Sequence, residues 1–245
     1  MYYEKKREIL NNKYIINDEV EVFYHKVKST PNEYLVDFFL ELSNKIQPVH
    51  YGFKRLINIG EELKNSLDNE DRATIQNNLG LLYDDLKRFT EAETAYQEAL
   101  DTYKELADKN PDAYLPYVAG TQNNLGLLYT DLGRFAEAET AYQEALDTYK
   151  ELADKNPDAY LFRVAVTQNN LGNLYWNLKR FAEAETAYQK ALDIRKELAD
   201  KNPDAYLSDV AMTQNNLGVL YNDLKKFAEA ETAYTEALGI KKELA

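Results

Sequence analysis

The stretch NPDAYLPYVAGTQNNLGLLYTDLGRFAEAETAYQEALDTYKELADK, residues 110–155, returns as NPDAYLFRVAVTQNNLGNLYWNLKRFAEAETAYQKALDIRKELADK at residues 156–201. Of the 43 residues from Pro111 to Ala153, 33 are identical to those from Pro157 to Ala199. The string NNLG marks the same register four times, at Asn77, Asn123, Asn169 and Asn215, so the period is 46 and the chain is an array. Each unit predicts two helices. The first opens at NPDAYL and ends near Leu132; the second runs from about Phe135 to Ala153. In Asn156-Pro157-Asp158 the Asn suits a cap, and Pro suits a first helical position whose N–H has no partner anyway. Asp there meets the positive end of the helix dipole. The turn between helices falls at Leu132-Gly133-Arg134, where Gly favours a left-handed conformation. Lys87, Lys179 and Lys225 stand there in the other copies, so Gly is helpful but not required.

These residues resemble the tetratricopeptide repeat family. Leu125, Gly126, Tyr129, Ala138, Tyr142 and Ala145 meet its pattern in the second copy, and the equivalents meet it in the others. The likeness covers about residues 69–245. It departs from the family in placing Gln122 where an early Trp is usual, in lacking the closing Pro, and in having a unit 12 residues longer than the usual 34. The combination of NNL, LY, AEAE and AL is also similar to the longer repeats of kinesin light chains. The resemblance implies an all-α protein, a right-handed superhelical solenoid of antiparallel helix pairs, with the first helix of each pair lining a concave groove.

The organisation read from the residues has two parts. Residues 69–245 form four repeats, at about 69–107, 108–153, 154–199 and 200–245. Residues 1–68 form an N-terminal helical region. Within it a degenerate repeat, about 31–66, aligns when the shift is 43 rather than 46, its first helix opening at Thr30-Pro31-Asn32-Glu33 and its second following Pro48. Two further helices are predicted around Tyr3–Asn12 and Asn17–Lys28.

Near-identical copies make their differences informative. In the first helix these are Pro116/Phe162/Ser208, Gly120/Val166/Met212, Leu127/Asn173/Val219, Thr130/Trp176/Asn222 and Asp131/Asn177/Asp223. At 100° per residue from position 116, positions 120, 127 and 130 project at about 40°, 20° and 320°, a narrow stripe, with 131 beside it. Tyr117/Arg163/Asp209 form a flank. The apolar set Tyr114, Val118, Leu125, Leu128 and Leu132 lies opposite and is the predicted core side. Exposure alone would also permit drift, but the second helices keep Glu137, Glu139, Thr140, Gln143 and Lys150 in nearly every copy, which favours a ligand-facing stripe.

The predicted peptide-binding groove therefore comprises Leu127, Thr130, Asp131, Val166, Asn173, Trp176, Asn177, Met212, Val219 and Asn222. To these it adds the pairs Asn77 and Asn78, Asn123 and Asn124, Asn169 and Asn170, and Asn215 and Asn216. An Asn amide both donates and accepts, as the backbone of an extended peptide requires; the competing role is a bond to the neighbouring helix that fixes stacking. One Asn of each pair is assigned to each role. Trp176 is the hot-spot candidate, against a reading in which it fills space beside the next repeat. The stripe lacks basic residues for a terminal carboxylate, and Asp84, Asp85, Asp131 and Asp223 favour a neutral or basic segment.

Composition narrows the function. The formal charge is −13, carried mostly by the repeats, which argues against nucleic acid and anionic membrane as partners. Cys is absent, excluding thiol chemistry and agreeing with a cytoplasmic setting. His25 and His50 lack metal-ligand spacing, and no catalytic motif or phosphate loop is present. The Glu91 and Glu93 pair diverges on its helix and reads as a solvated face, not an acid–base couple. The expectation is a noncatalytic protein–protein interaction module without cofactor or metal. The alternatives are a self-assembling scaffold that associates through Leu238, Ile240 and Leu244 at its C-terminal end, or a truncated or designed array.

Overall fold

The computed structural model describes residue 20, residues 34–45 and residues 51–244. The helices expected around Tyr3–Asn12 and Asn17–Lys28, the capping box at Thr30, His25 and His50 lie outside them, apart from Val20, which is helical and buried. Helix α1 (Tyr34–Lys45) and α2 (Tyr51–Leu63) precede a 3-10 turn, Lys64–Ser66. Then come α3 (Asn69–Asp85), α4 (Phe89–Ala107), α5 (Pro111–Asp131), α6 (Phe135–Lys155), α7 (Pro157–Asn177), α8 (Phe181–Lys201), α9 (Pro203–Asp223) and α10 (Phe227–Glu243). The described residues contain no strand. The chain divides into two compact units, residues 1–124 and 125–245, the division falling within α5.

In the first unit α3 packs on α1, α2 and α4. Asp68 caps α3 by accepting from the Asp71 backbone N–H at 3.0 Å. In the second unit α6 packs on α7, α7 on α8, α8 on α9, and α9 on α10. Its core near the end gathers Ala184, Tyr188 and Leu192 of α8 around Val210, Leu217 and Leu220 of α9 and Ala233 of α10. The 3.6-residue period places these apolar residues on one face, and burial of that face drives the packing.

Turns within a pair share one geometry. Lys87, Gly133, Lys179 and Lys225 all have φ between 58° and 70°. The Arg180 N–H reaches the Tyr175 carbonyl at 2.9 Å and the Lys179 N–H reaches that of Trp176 at 3.0 Å, the double closure of a Schellman turn. The same bonds close the other three turns. A Lys holds the left-handed conformation in three of them, because two backbone hydrogen bonds outweigh a steric cost of about 1–2 kcal/mol.

Turns between pairs differ from the sequence reading. Asn156 and Asn202 precede Pro at the start of α7 and α9, yet neither side chain makes a capping bond. Each is instead a one-residue joint: the Asn156 N–H ends α6 on the Leu152 carbonyl at 2.9 Å, and its own carbonyl accepts from Ala159 at 3.3 Å. Two members of the expected core are also displaced. Leu132 is exposed, and Tyr114 is half-buried with its hydroxyl donating to Glu70 at 2.6 Å.

Candidate interaction surface

The Asn pairs form bonds between repeats. In the first unit Asn124 Nδ2 donates to Asn77 Oδ1 at 3.2 Å, and Thr121 adds a second bond to the same oxygen at 3.2 Å. In the second, Asn216 Nδ2 donates to Asn169 Oδ1 at 3.1 Å. One member of each pair is seen in these bonds, the carbonyl of the first Asn at Asn77 and Asn169 and the amide of the second at Asn124 and Asn216. Each bond still leaves the first Asn its amide and the second its carbonyl. Asn169 is buried, whereas Asn77, Asn123, Asn124, Asn170 and Asn216 are half-buried and Asn215 is exposed. Asn78 is half-buried and turns back to the Thr74 carbonyl at 2.9 Å.

The variable positions are more open. Leu127 and Met212 are 42% and 44% exposed, and Asp131, Asn173, Asn177 and Asn222 are exposed too. Thr130, Val166 and Val219 are half-buried. The Thr130 hydroxyl donates to the Gly126 carbonyl at 2.8 Å, and Asn173 Oδ1 accepts from the Tyr188 hydroxyl at 2.7 Å. Trp176 is half-buried against the α8–α10 core, with its indole N–H donating to Asp223 at 2.8 Å and Lys179 Nζ lying 5.3 Å from the ring centre. It therefore takes part in stacking on the next repeat.

At the other end of the second unit, Leu238 and Leu244 are exposed, and Ile240 is half-buried and packs on the core of α8, α9 and α10. Phe227 and Tyr234 accompany Leu238 along one shallow cleft, an apolar set the sequence reading omitted.

The flank positions have a different explanation from ligand choice. Tyr117 stacks on Tyr103 with ring centres 5.1 Å apart. At the next junction Arg163 places its charge near the Tyr149 phenol. At the third, Arg195 is only 1% exposed and sits 3.9 Å from the Asp209 carboxylate, while it donates to the Asp209 carbonyl at 3.1 Å and to the Thr213 hydroxyl. Burial presses the Arg195 pKa down, and the Asp209 charge acts against that. Tyr–Tyr, Tyr–Arg and Arg–Asp are thus matched pairs, always 14 residues apart. Variation at 149 and 195 that tracks variation at 163 and 209 was the signal available in the sequence.

A cost follows for breaking such a pair. Asp209→Ala leaves a buried guanidinium without its counter-charge and should lower stability by about 2 kcal/mol, below the usual range for a buried pair because Asp209 is partly solvated. The double change Arg195→Tyr with Asp209→Tyr, which copies the first junction, should recover that loss. Urea denaturation of both variants checks it, and equal losses in the two would refute the pairing.

The Glu pairs are not uniformly solvated either. Arg180, the residue before α8, grips Glu139 of α6 through two nitrogens, at 2.6 and 3.0 Å, and the Tyr175 hydroxyl donates to the same carboxylate at 3.1 Å. Lys226 and Glu185 repeat the contact at 3.3 Å. Glu139 and Glu185 therefore tie one repeat to the next, while Glu137 and Glu183 close on the Arg of their own turn.

Two sequence profiles, each described as tetratricopeptide repeat, match the chain, one over residues 72–112 and 118–158 and the other over residues 163–243. The chain belongs to the tetratricopeptide repeat family. Among solved structures it is similar to BtubC (BKLC) from P. vanneervenii, at 26% identity and a TM-score of 0.71, over 98% of this chain and 91% of that one. It is similar as well to a putative kinesin light chain from Podosopora anserina with nearly identical TPR-like repeats, at 15% identity and a TM-score of 0.56, over 94% and 97%. A Rap protein complexed with competence and sporulation factor matches at 16% identity and a TM-score of 0.62, over 94% of this chain and 66% of that one. No curated protein matches the sequence. Tetratricopeptide repeats are protein-interaction modules, in general noncatalytic. Among the described residues no helix is long and apolar enough to cross a membrane, and no group of three or more His, Cys, Asp or Glu is placed to hold a metal ion.

Proposed function

We propose that this tetratricopeptide repeat protein binds an extended segment of a partner protein on the variable face of its first helices. The observation that carries the reading is the pairing of exposed apolar side chains, Leu127 and Met212, with amide groups left over after stacking. An extended peptide needs main-chain partners of both polarities and apolar contacts for alternate side chains. Asn169 and Asn216 in the second unit, and Asn77 and Asn124 in the first, keep an amide donor and a carbonyl acceptor respectively. Val166, Met212 and Val219 then choose side chains, Trp176 supplies an aromatic flank, and Asp131 and Asp223 favour a neutral or basic segment.

The test is selection from a peptide library displayed on phage, followed by calorimetry with the best synthetic peptide. Met212→Glu should weaken binding at least tenfold, because it buries a charge against the peptide. Thr232→Glu, on an exposed position of α10, should leave it unchanged. Equal effects from both substitutions, or none from either, would sink the assignment.

A further inference from the structure

We infer that the cleft between α6, α7 and α8 takes a side-chain carboxylate from an acidic segment of a partner protein, at a face separate from the first-helix stripe. Two clefts of the second unit are copies of each other, 46 residues apart. One, of about 320 Å³, includes Gln189, Lys196, Gln214, Tyr221 and Glu236; the other, of about 290 Å³, includes Gln143, Lys150, Gln168, Tyr175 and Lys190.

In the first of these the protein supplies its own carboxylate. Gln214 Nε2 donates to Glu236, and Lys196 Nζ lies 3.9 Å from the same oxygen. The first unit has the same bond, from Gln76 Nε2 to Glu98 at 2.6 Å. In the second cleft Lys190 replaces that Glu. Gln168 lines the cleft, and among the described residues its side chain has no carboxylate partner such as Gln76 and Gln214 have.

The charges in this cleft suit an incoming anion. Among the described residues Lys190 makes no ion pair. Lys150 has only an exposed contact with Asp147, 3.7 Å away on its own helix, which water screens. Glu183, the acidic residue of the cleft, is engaged by Arg180 through Nε and a terminal nitrogen. A carboxylate from outside, seated against the Gln168 amide, would accept from it and face both Lys150 and Lys190. The bonds from Gln76 to Glu98 and from Gln214 to Glu236 are the precedent for a carboxylate on this Gln, and the two lysines suit an acidic side chain of a partner.

The test uses nitrogen-15 NMR of the full chain, titrated with a tetraglutamate peptide blocked at both ends. Blocked tetraglutamine and inorganic phosphate serve as parallel probes. The side-chain amide resonances of Gln168 should shift saturably with tetraglutamate and not with tetraglutamine. Lys190→Glu, which restores the residue of the other copies, should weaken that response at least tenfold. Glu236→Lys should make the Gln214 amide respond where it did not before. A silent Gln168, an undiminished response in Lys190→Glu, or a response to phosphate without one to tetraglutamate would each overturn the proposal.

Discussion

Gly172→Ala is expected to lower stability by about 2 kcal/mol, although helix propensity alone predicts a gain of about 1 kcal/mol. A Cβ at Gly172 would lie 2.5 and 2.6 Å from two ring carbons of Tyr188, a contact that requires movement. Tyr188 has nowhere to go: it is buried in the core of α8 and α9 and its hydroxyl is held by Asn173. Relief has to come from separating α7 and α8, which loosens every contact between them, because packed interiors accommodate extra volume poorly. Gly218 gives the internal control. Its Cβ would meet Tyr234 at 2.6 Å, but Tyr234 is exposed and its ring is able to swing away. Gly218→Ala should therefore be neutral or slightly stabilising. The chain has one Trp, Trp176, four residues from Gly172 on α7, so its fluorescence in a urea titration reports on the affected pair. Equal effects of the two substitutions would show that propensity, not the approach of the ring, decides these positions.

The second large effect is alkaline unfolding that begins at pH 10. Burial raises the pKa of Tyr96 and Tyr103 in the first unit and of Tyr142 and Tyr188 in the second; Tyr103 is pushed up to about 12 and the other three lie higher. An acid whose folded pKa exceeds its unfolded value is stabilising below the unfolded pKa, near 10. That contribution is lost as pH rises towards the folded value, because the unfolded chain releases the proton first. One pH unit above 10 costs about 1.4 kcal/mol per buried phenol, so the two named in each unit together cost it about 3 kcal/mol by pH 11. Burial first, and then the contacts with Glu61, Glu139 and Glu185, push Tyr83, Tyr175 and Tyr221 up to about 12, and they add in the same direction. Far-ultraviolet circular dichroism and tyrosinate absorbance, followed together from pH 8 to 12, check this. Ionisation and loss of helix should coincide. Smooth titration of all tyrosines near pH 10 with the helices intact would contradict the burial described.

Much of this molecule was legible before any coordinates. Identical strings at a fixed spacing exposed the repeat, and the alternation of apolar faces with Pro and Gly or Lys punctuation placed the helix ends within a residue or two. Local chemistry sufficed there, since Pro157 can only begin a helix and the turn at Lys179 is closed by bonds within six residues. The same locality misled at Asn156, where the backbone does the joining and the side chain does not cap.

The candidate surface was legible only in outline. Helical angles separated an exposed stripe from a buried one, but they treat each helix alone. Angles could not show that Arg195 is buried against Asp209, that Asn216 bonds Asn169 one repeat back, or that the Trp176 indole is anchored on Asp223. Those contacts join residues 14, 47 and 47 positions apart, and they depend on the distance and crossing of neighbouring helices.

The sequence by itself determined the repeat, the two helices in each copy and the residues free to vary, because period, caps and turns act over a few residues. Only the tertiary structure decided which of the variable and polar residues are used up between repeats and which stay available. Gln168 and Gln214 are identical in sequence context, yet one has a carboxylate and the other faces Lys190, and that difference exists only once a second helix is laid across the first.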